Sequence, residues 1–188
     1  MAIDPGYDPG YYAVLAIQQK GPYIFVIDEV YFQHKLVTDI IRMCKKRKWW
    51  KNVVGGIIDP FGGTQHQAMP SHREEWKTHG GVQIYAGARV GILTGIKRYR
   101  HFLSRGPDGR KKAYVFFDRK CRGTIREHRR YRRQSSKEGR ALRVVPIDAD
   151  NHGIKALTYF IASTRRPNGL AKKRTRRVKM GRGGRRAA

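Results

Sequence analysis

Residues 23–32 read YIFVIDEVYF, a run of ten residues that is apolar on both faces of an extended strand. Phe25 and Ile27 point to one side of the sheet, whereas Ile24, Val26 and Val30 point to the other. A strand that is buried on both faces lies inside a sheet that is covered on each side. The run therefore predicts a sheet with a layer of helices on both of its faces.

Strand and helix patterns alternate along the rest of the chain. A second long strand is predicted at 11–19, followed by the turn signal Lys20-Gly21-Pro22. Shorter strands are predicted at 2–4, 52–59, 82–86 and 113–117, an extended segment at 142–146, and helices at 36–48, 65–78, 89–104, 124–133 and 151–162. This alternation favours an α/β fold with a mixed central sheet flanked by helices.

The charge of the chain indicates a polyanionic partner. Its 188 residues include 41 Lys and Arg against 14 Asp and Glu, a formal net charge of +27. This balance argues against an ordinary small-metabolite enzyme or a sensor of acidic ligands. It favours nucleic acid first and an anionic membrane surface second. No apolar run approaches 18 residues, so we expect no membrane span, and the N-terminus lacks the pattern of a signal peptide.

The positive charge is concentrated in two segments. Residues 97–143 carry 18 Lys and Arg against four acids, and residues 164–188 carry 11 with no acid. The second segment also has few apolar residues, which is typical of a flexible basic tail. We therefore predict one folded domain at 1–163 and a tail at 164–188. The chain has no G-x-x-x-x-G-K-[ST] motif, so we predict no ATP motor of its own.

Three aspartates each stand where an apolar segment gives way to a turn or helix: Asp4 in AIDPG, Asp59 in GIIDPFGG and Asp150 in PIDADNHGIKAL. Ligands bind at such positions in open α/β folds. Carboxylates brought together repel unless a divalent cation lies between them. Oxygen ligands suit Mg²⁺ or Mn²⁺, and the chain has no Cys/His spacing for zinc. An ordinary turn, of the Asp-Pro type at Asp4 and Asp59, would explain any single one of them equally well.

Asp28 and Glu29 lie in the middle of the 23–32 strand, and one of the two must point into a covered face of the sheet. The position of Glu29 has two explanations. Glu29 contacts either the metal site or a buried cation in a salt bridge, and the sequence leaves both possibilities open.

At this point the chain resembles the nuclease domain of the large terminase subunit of tailed bacteriophages, over residues 2–163. The resemblance rests on five segments in the family's order: AIDPG, YIFVIDEVYF, GIIDPFGGT, KAYVFFDRKCRGTIREHRRYR and DADNHGIKALTYF. Its most specific parts are C-x-x-x-I-x-E-x-x-x-Y, from Cys121 to Tyr131, and D-N-H-x-x-x-A-L-x-Y, from Asp150 to Tyr159.

The resemblance implies an RNase H/RuvC-like fold and a metal-dependent endonuclease that cuts concatemeric double-stranded viral DNA during genome packaging. Asp4, Asp59 and Asp150 would be the catalytic acids and would hold two Mg²⁺ or Mn²⁺ ions, with Asp148 or His152 in a secondary place. In the family an ATPase domain precedes this one, and this chain lacks it. Portal and small terminase subunit would be partners of the full-length protein in the host cell cytoplasm, and the isolated domain is expected to be a monomer.

One position departs from the family. Relatives commonly have Asp where this chain has Lys155. Five helical residues separate it from Asp150, a rotation of about 140°, so it need not share the face of the metal ligands. We interpret the change as loss of a supporting carboxylate.

The stretch from Arg129 to Arg143 would correspond to the family's hairpin beside the active site, with a solvated basic loop as the alternative. Its predicted DNA-binding residues are Arg129, Arg130, Arg132, Arg133, Lys137, Arg140 and Arg143.

Two other functions fit parts of the sequence. A RuvC-like junction resolvase has the same fold class and would prefer four-way junctions. In a non-enzymatic basic nucleic-acid-binding protein, the cations would bind the nucleic acid and the aspartates would have only a structural role.

Overall fold

The computed structural model describes residues 1–6, 10–61, 70–104, 112–131 and 150–165. Within these residues six strands form one mixed sheet in the order β5-β4-β1-β2-β3-β6. The strands are β1 (Ala2–Pro5), β2 (Tyr12–Lys20), β3 (Tyr23–Phe32), β4 (Gly56–Ile58), β5 (Ile84–Ala86) and β6 (Val115–Phe117). β1 is antiparallel to β2 and parallel to β4, and so lies inside the sheet.

β2 and β3 form the longest pair of strands and run antiparallel. Their turn passes through Gly21 at φ 57°, a left-handed conformation that glycine adopts without strain. β3 spans the predicted residues 23–32. Its ladder is irregular, because Ala16 faces Asp28 while Ile17 faces Val26. A β-bulge shifts every later side chain to the other face of the sheet.

The bulge corrects the predicted side-chain pattern of β3. Ile24 and Val26 pack in one hydrophobic core, whereas Val30 packs in the other. Phe25 and Ile27 are only half-buried. The strand contributes to both cores, as expected, but the bulge rather than simple alternation divides its side chains between them.

Helices cover both faces of the sheet. α1 and α2 pack on one face, over a core that contains Ile3, Val14 and Trp76. α3, α4 and α5 pack on the other, where the core contains Leu15 and Leu157. The helices are α1 (Val37–Lys45), α2 (His72–Gly80), α3 (Ile92–Ser104), α4 (Arg122–Arg130) and α5 (His152–Thr164), with a 3-10 turn at Trp50–Asn52. The predicted α/β architecture is confirmed. None of the described helices is long and apolar enough to cross a membrane.

The strand predicted at 52–59 is shorter than expected. The chain makes its 3-10 turn at Trp50–Asn52 and passes through Gly55 at φ 151° before β4 begins at Gly56. The end of the predicted strand nevertheless stays beside β1, since the backbone N–H of Asp59 donates to the carbonyl of Ile3 at 3.0 Å. This bond fixes the position of Asp59.

Several predictions lie outside the described residues. They concern residues 65–69 of the second predicted helix, the extended segment at 142–146, Asp148, and the tail beyond Arg165. The division into a domain at 1–163 and a tail therefore stays a prediction.

Candidate active site

Asp4 and Asp59 lie side by side at the ends of two neighbouring parallel strands. The ladder pairs Ile3 of β1 with Ile58 of β4, so the next residues, Asp4 and Asp59, are aligned with one another. Neighbouring strands are about 4.8 Å apart, and residues in register point to the same face of the sheet. The strand-end position that the sequence predicted for these two acids thus brings them together.

The two carboxyl groups have different surroundings. Asp4 is 3% exposed, whereas Asp59 is half-buried and accepts a hydrogen bond from the Phe61 backbone N–H at 2.8 Å. Burial raises the pKa of Asp4 to about 6, and the Asp59 carboxylate adds to this rise. The hydrogen bond and charge of His152 act in the opposite direction.

The first turn of α5 covers this acid pair. His152 is the first residue of the helix, and its Nδ1 lies 2.7 Å from Oδ2 of Asp4. Lys155 follows three residues later, on the same side of the helix. Its positive charge also lowers the pKa of Asp4, so Lys155 belongs to the electrostatic environment of the acid pair.

This arrangement corrects the expectation for Lys155. The rotation of 140° was counted from Asp150, but Asp150 precedes the helix and has a left-handed backbone, φ 47°. Helical geometry therefore does not relate the two residues. Counted from His152, which is inside the helix, Lys155 faces the acids.

Asp150 is exposed and lies just before Asn151, the N-cap residue of α5. Over the ranges that the structure describes, no three Asp, Glu, His or Cys side chains converge closely enough to hold a metal ion. The structure thus pairs Asp4 with Asp59 and His152 with Asp4. A role for Asp150 as third acid stays a prediction, and Asp148 lies outside the described residues.

A buried carboxylate that sequence reasoning missed holds α5 in place. Glu127 of α4 is 1% exposed and accepts hydrogen bonds from the backbone N–H groups of Gly153 (3.1 Å) and Ile154 (2.9 Å). The Tyr31 hydroxyl also donates to it, at 2.6 Å. A carboxylate at a helix N-terminus satisfies free N–H groups and interacts favourably with the helix dipole. Glu127 thereby fixes the turn that carries His152.

Glu29 holds the N-terminal turn of α4 in the same way as Glu127 holds that of α5. Its carboxylate accepts from the backbone N–H of Gly123, and from both the N–H (3.0 Å) and the hydroxyl (2.8 Å) of Thr124. The ion pair considered for Glu29 is made by its neighbour Asp28, which lies 3.6 Å from an Arg47 nitrogen. The E of the C-x-x-x-I-x-E-x-x-x-Y pattern was the sequence signal for Glu127, and Glu29 had none beyond its position in a buried strand.

Only two of the predicted DNA-binding residues can be placed. Arg129 and Arg130 are exposed at the end of α4. The other five, Arg132, Arg133, Lys137, Arg140 and Arg143, lie outside the described residues.

The mixed sheet with helices on both faces is shared with solved terminase nuclease domains, whose fold is RNase H-like. One is the nuclease domain of the large terminase (g2p) of bacteriophage SPP1, solved with bound Mn, at 22% identity and a TM-score of 0.59 over 84% of this chain and 81% of that one. Another is the large terminase of a thermophilic bacteriophage, at 16% identity and a TM-score of 0.60. The same enzyme in complex with ATP-gamma-S gives 14% identity and a TM-score of 0.62.

The two phage proteins differ in how much of them this chain spans. The match to the thermophilic-phage enzyme takes in 85–86% of this chain but only 38% of either structure of that enzyme, so it concerns a minor part of the whole terminase. No protein-family model and no curated protein sequence matches the chain. At this low identity the resemblance expected from the sequence is confirmed as a shared fold.

Proposed function

We propose that this protein is a divalent-cation-dependent endonuclease that cuts double-stranded DNA during phage genome packaging. The observation that carries the proposal is the pair Asp4 and Asp59, aligned on adjacent parallel strands beneath the first turn of α5. It occurs in a chain of net charge +27 with the fold of terminase nuclease domains.

The residues present fit a divalent cation. Two carboxylates on adjacent strands repel each other, and the pKa of the buried Asp4 is raised to about 6, in part by Asp59. A cation between them would remove that repulsion. Carboxylate oxygens with an imidazole nitrogen nearby suit Mn²⁺ or Mg²⁺. The related SPP1 domain was solved with Mn, which supports this choice.

Asp4, Asp59 and His152 would have different roles at the cation. Asp4 and Asp59 would hold the cation, while His152, donating to Oδ2, keeps the Asp4 carboxylate in one orientation. The two-ion arrangement expected from the sequence needs further ligands. Asp150 is proposed as that third acid, with Asp148 or His152 in a secondary place.

Hydrolysis of a phosphodiester bond is the chemistry that this arrangement favours. A bound divalent cation supplies a water of lowered pKa and a positive charge for the leaving oxygen. Asp4 must be deprotonated to serve as a ligand, so protons compete for its carboxyl below about pH 6. His152 and Lys155 both favour the deprotonated form. Lys155 also adds a positive charge near the position of the DNA phosphate.

The setting of this activity would be the packaging of concatemeric viral DNA in the host cell cytoplasm. The match to the thermophilic phage concerns a large terminase, one form of it with ATP-gamma-S, of which this chain spans a minor part. An ATPase domain, the portal and the small terminase subunit would therefore act in the whole protein. The nuclease domain alone would be a monomer.

The proposal is tested by nicking of supercoiled plasmid in Mn²⁺ or Mg²⁺, with EDTA as the metal-free reference. Wild type should nick, and Asp4→Asn and Asp59→Asn should not. Asp39→Asn is the matched control, because Asp39 lies on α1 at the opposite face of the sheet. Nicking that survives EDTA would refute the mechanism. A strong preference for four-way junctions would favour a resolvase, and DNA binding without any cleavage would favour a non-enzymatic protein.

A further inference from the structure

We propose that the outer face of α4, together with Arg119, is a binding track for the phosphate backbone of the DNA. The inference rests on the proposed function, because it names the path of that function's substrate. Sequence reasoning placed the DNA contacts from Arg129 onward and left the start of α4 aside. A shallow groove on this face is lined by Arg119, Arg122, Ile125, Arg126, Arg129 and Arg130.

The residues of α4 are sharply divided between two faces. The inner face buries Gly123, Thr124 and Glu127, which contact β3 and α5. Arg122 and Arg126 are exposed four residues apart, so they form one stripe on the outer face with the arginines that follow. Among the described residues that line the groove there is no acid, although Asp28 and Glu29 share a neighbouring pocket with Arg119 and Arg122. The cations of Arg126, Arg129 and Arg130 therefore face an outer surface that favours an anion.

The stripe leads to the acid pair. The Arg126 guanidinium lies 5.6 Å from the centre of the Tyr11 ring and 6.0 Å from that of Tyr31. The Tyr11 ring is in turn 6.5 Å from the His152 ring, whose Nδ1 contacts Asp4. DNA that lies along α4 therefore passes beside the proposed cleavage site.

The chemistry of the groove selects a nucleic acid rather than a protein surface. Protein interfaces have an apolar or aromatic centre, and of the described residues that line the groove Ile125 alone is apolar. Guanidinium groups present paired donors that match phosphate oxygens. From Arg122 to Arg130 the helix rises about 12 Å, which is close to the axial length of three to four base pairs.

The test measures binding without divalent metal, so that it does not depend on cleavage. The affinity of the full chain for a labelled duplex is measured by fluorescence anisotropy over a range of salt concentrations. Arg122→Gln with Arg126→Gln removes two cations from the track. The matched control, Arg73→Gln with Lys77→Gln, removes two exposed cations at the same spacing from α2, on the opposite face of the sheet.

The α4 pair should reduce the slope of log affinity against log salt by about 2 and weaken binding about tenfold or more at 0.1 M salt. The control pair should leave the slope unchanged. Arg129→Gln with Arg130→Gln removes two cations without touching the contact between Arg126 and the tyrosines, and must reproduce the loss. The double variant Arg122→Lys with Arg126→Lys retains both positive charges, so its slope of log affinity against log salt should equal that of wild type.

If the α4 and α2 pairs lost DNA affinity equally, binding would depend on net charge alone, and the proposal of a track on α4 would be wrong. An unchanged slope in both α4 pairs would also overturn it. The nicking assay is independent of these results. A wild type that binds along α4 but does not nick would refute the proposed nuclease and keep the track.

Discussion

Nδ1 of His152 lies 2.7 Å from Oδ2 of Asp4, a contact between residues 148 positions apart that joins the first turn of α5 to β1. The position of His152 depends on Glu127, which accepts the N–H groups of the next two residues. The candidate site is therefore assembled by the docking of one helix end, and its geometry depends on a buried carboxylate that belongs to a different helix.

The raised pKa of Asp4 predicts a specific pH dependence of stability in the metal-free protein. The folded state binds a proton up to about pH 6, whereas the unfolded chain releases it near 3.8. This contribution is fully present below pH 3.8 and is lost as the pH rises to about 6. Its size is on the order of 3 kcal/mol.

Asp4→Asn should therefore have a higher melting temperature than wild type at pH 7 in EDTA. The difference between the two proteins should shrink as the pH falls from 6 to 4. Thermal unfolding at a series of pH values measures it, with Asp39→Asn as control. A difference that stays constant across this range would show that Asp4 has an ordinary pKa.

Metal binding can be measured apart from cleavage, through its effect on thermal stability. Mn²⁺ should raise the melting temperature of wild type, because a ligand that binds only the folded state stabilises it. Asp59→Asn should abolish both this rise and nicking. Asp150→Asn should do the same if Asp150 is the third acid. A full Mn²⁺ shift and full nicking in Asp150→Asn would remove that residue from the site.

Lys155 should set the pH at which Asp4 becomes a ligand. Lys155→Met removes a charge that lowers the pKa of Asp4, so the acid limb of the nicking profile should move to higher pH, by roughly one unit or less. Lys155→Arg keeps the charge and should keep the wild-type profile. An unshifted limb in Lys155→Met would show that its ammonium does not act on Asp4.

Glu127 and Tyr31 should behave as a coupled pair. Glu127→Gln loses one accepting oxygen of a buried group that has three donors, which should cost about 1–3 kcal/mol of unfolding free energy. Tyr31→Phe removes a single donor and should cost about 1 kcal/mol. Chemical denaturation of the single and double variants measures the coupling. Strict additivity would mean that the hydroxyl and the carboxylate do not interact.

The sheet could be predicted from the sequence because each of its strands carries its own local signal. Residues 23–32 form β3 as expected, since both the run and the turn at Gly21 are local features. The bulge opposite Ala16 and Ile17 could not be predicted, because it appears only when β2 and β3 are paired. That single irregularity decides which core receives Val30.

The acid pair was predictable for the same reason. His152 was named as a secondary ligand, but the contacts that build the rest of the site could not be predicted. Asp4 and Asp59 each end a strand, and parallel strands place such residues together. The helix was predicted to begin at residue 151, close to the start of α5 at His152, but its faces could not be predicted. Asp150, from which Lys155 was counted, lies before the helix and has a left-handed backbone. The partners of Glu127 are backbone N–H groups 26 and 27 residues away, and no pattern of residue types encodes such contacts.

The basic tail and the α4 track should contribute differently to DNA binding. Residues 164–188 contain 11 Lys and Arg, of which Arg165 is buried at the C-terminal end of α5, so ten lie beyond it in the sequence. Cations on a segment with few apolar residues add affinity by releasing counterions from DNA, without positioning the strand that is cut. Truncation after Arg165 should therefore weaken binding and flatten its salt dependence.

Nicking at saturating protein and low salt should fall only modestly in the truncated chain, because the acid pair and α4 remain. Charge reversal of Arg129 and Arg130 should reduce nicking more than it reduces binding. Both residues follow Glu127 on α4, and Glu127 anchors the first turn of α5 beside the acid pair. Salt titrations and plasmid nicking on the same preparations compare the two variants. If truncation abolished nicking even at saturation, residues beyond Arg165 would be part of the active site.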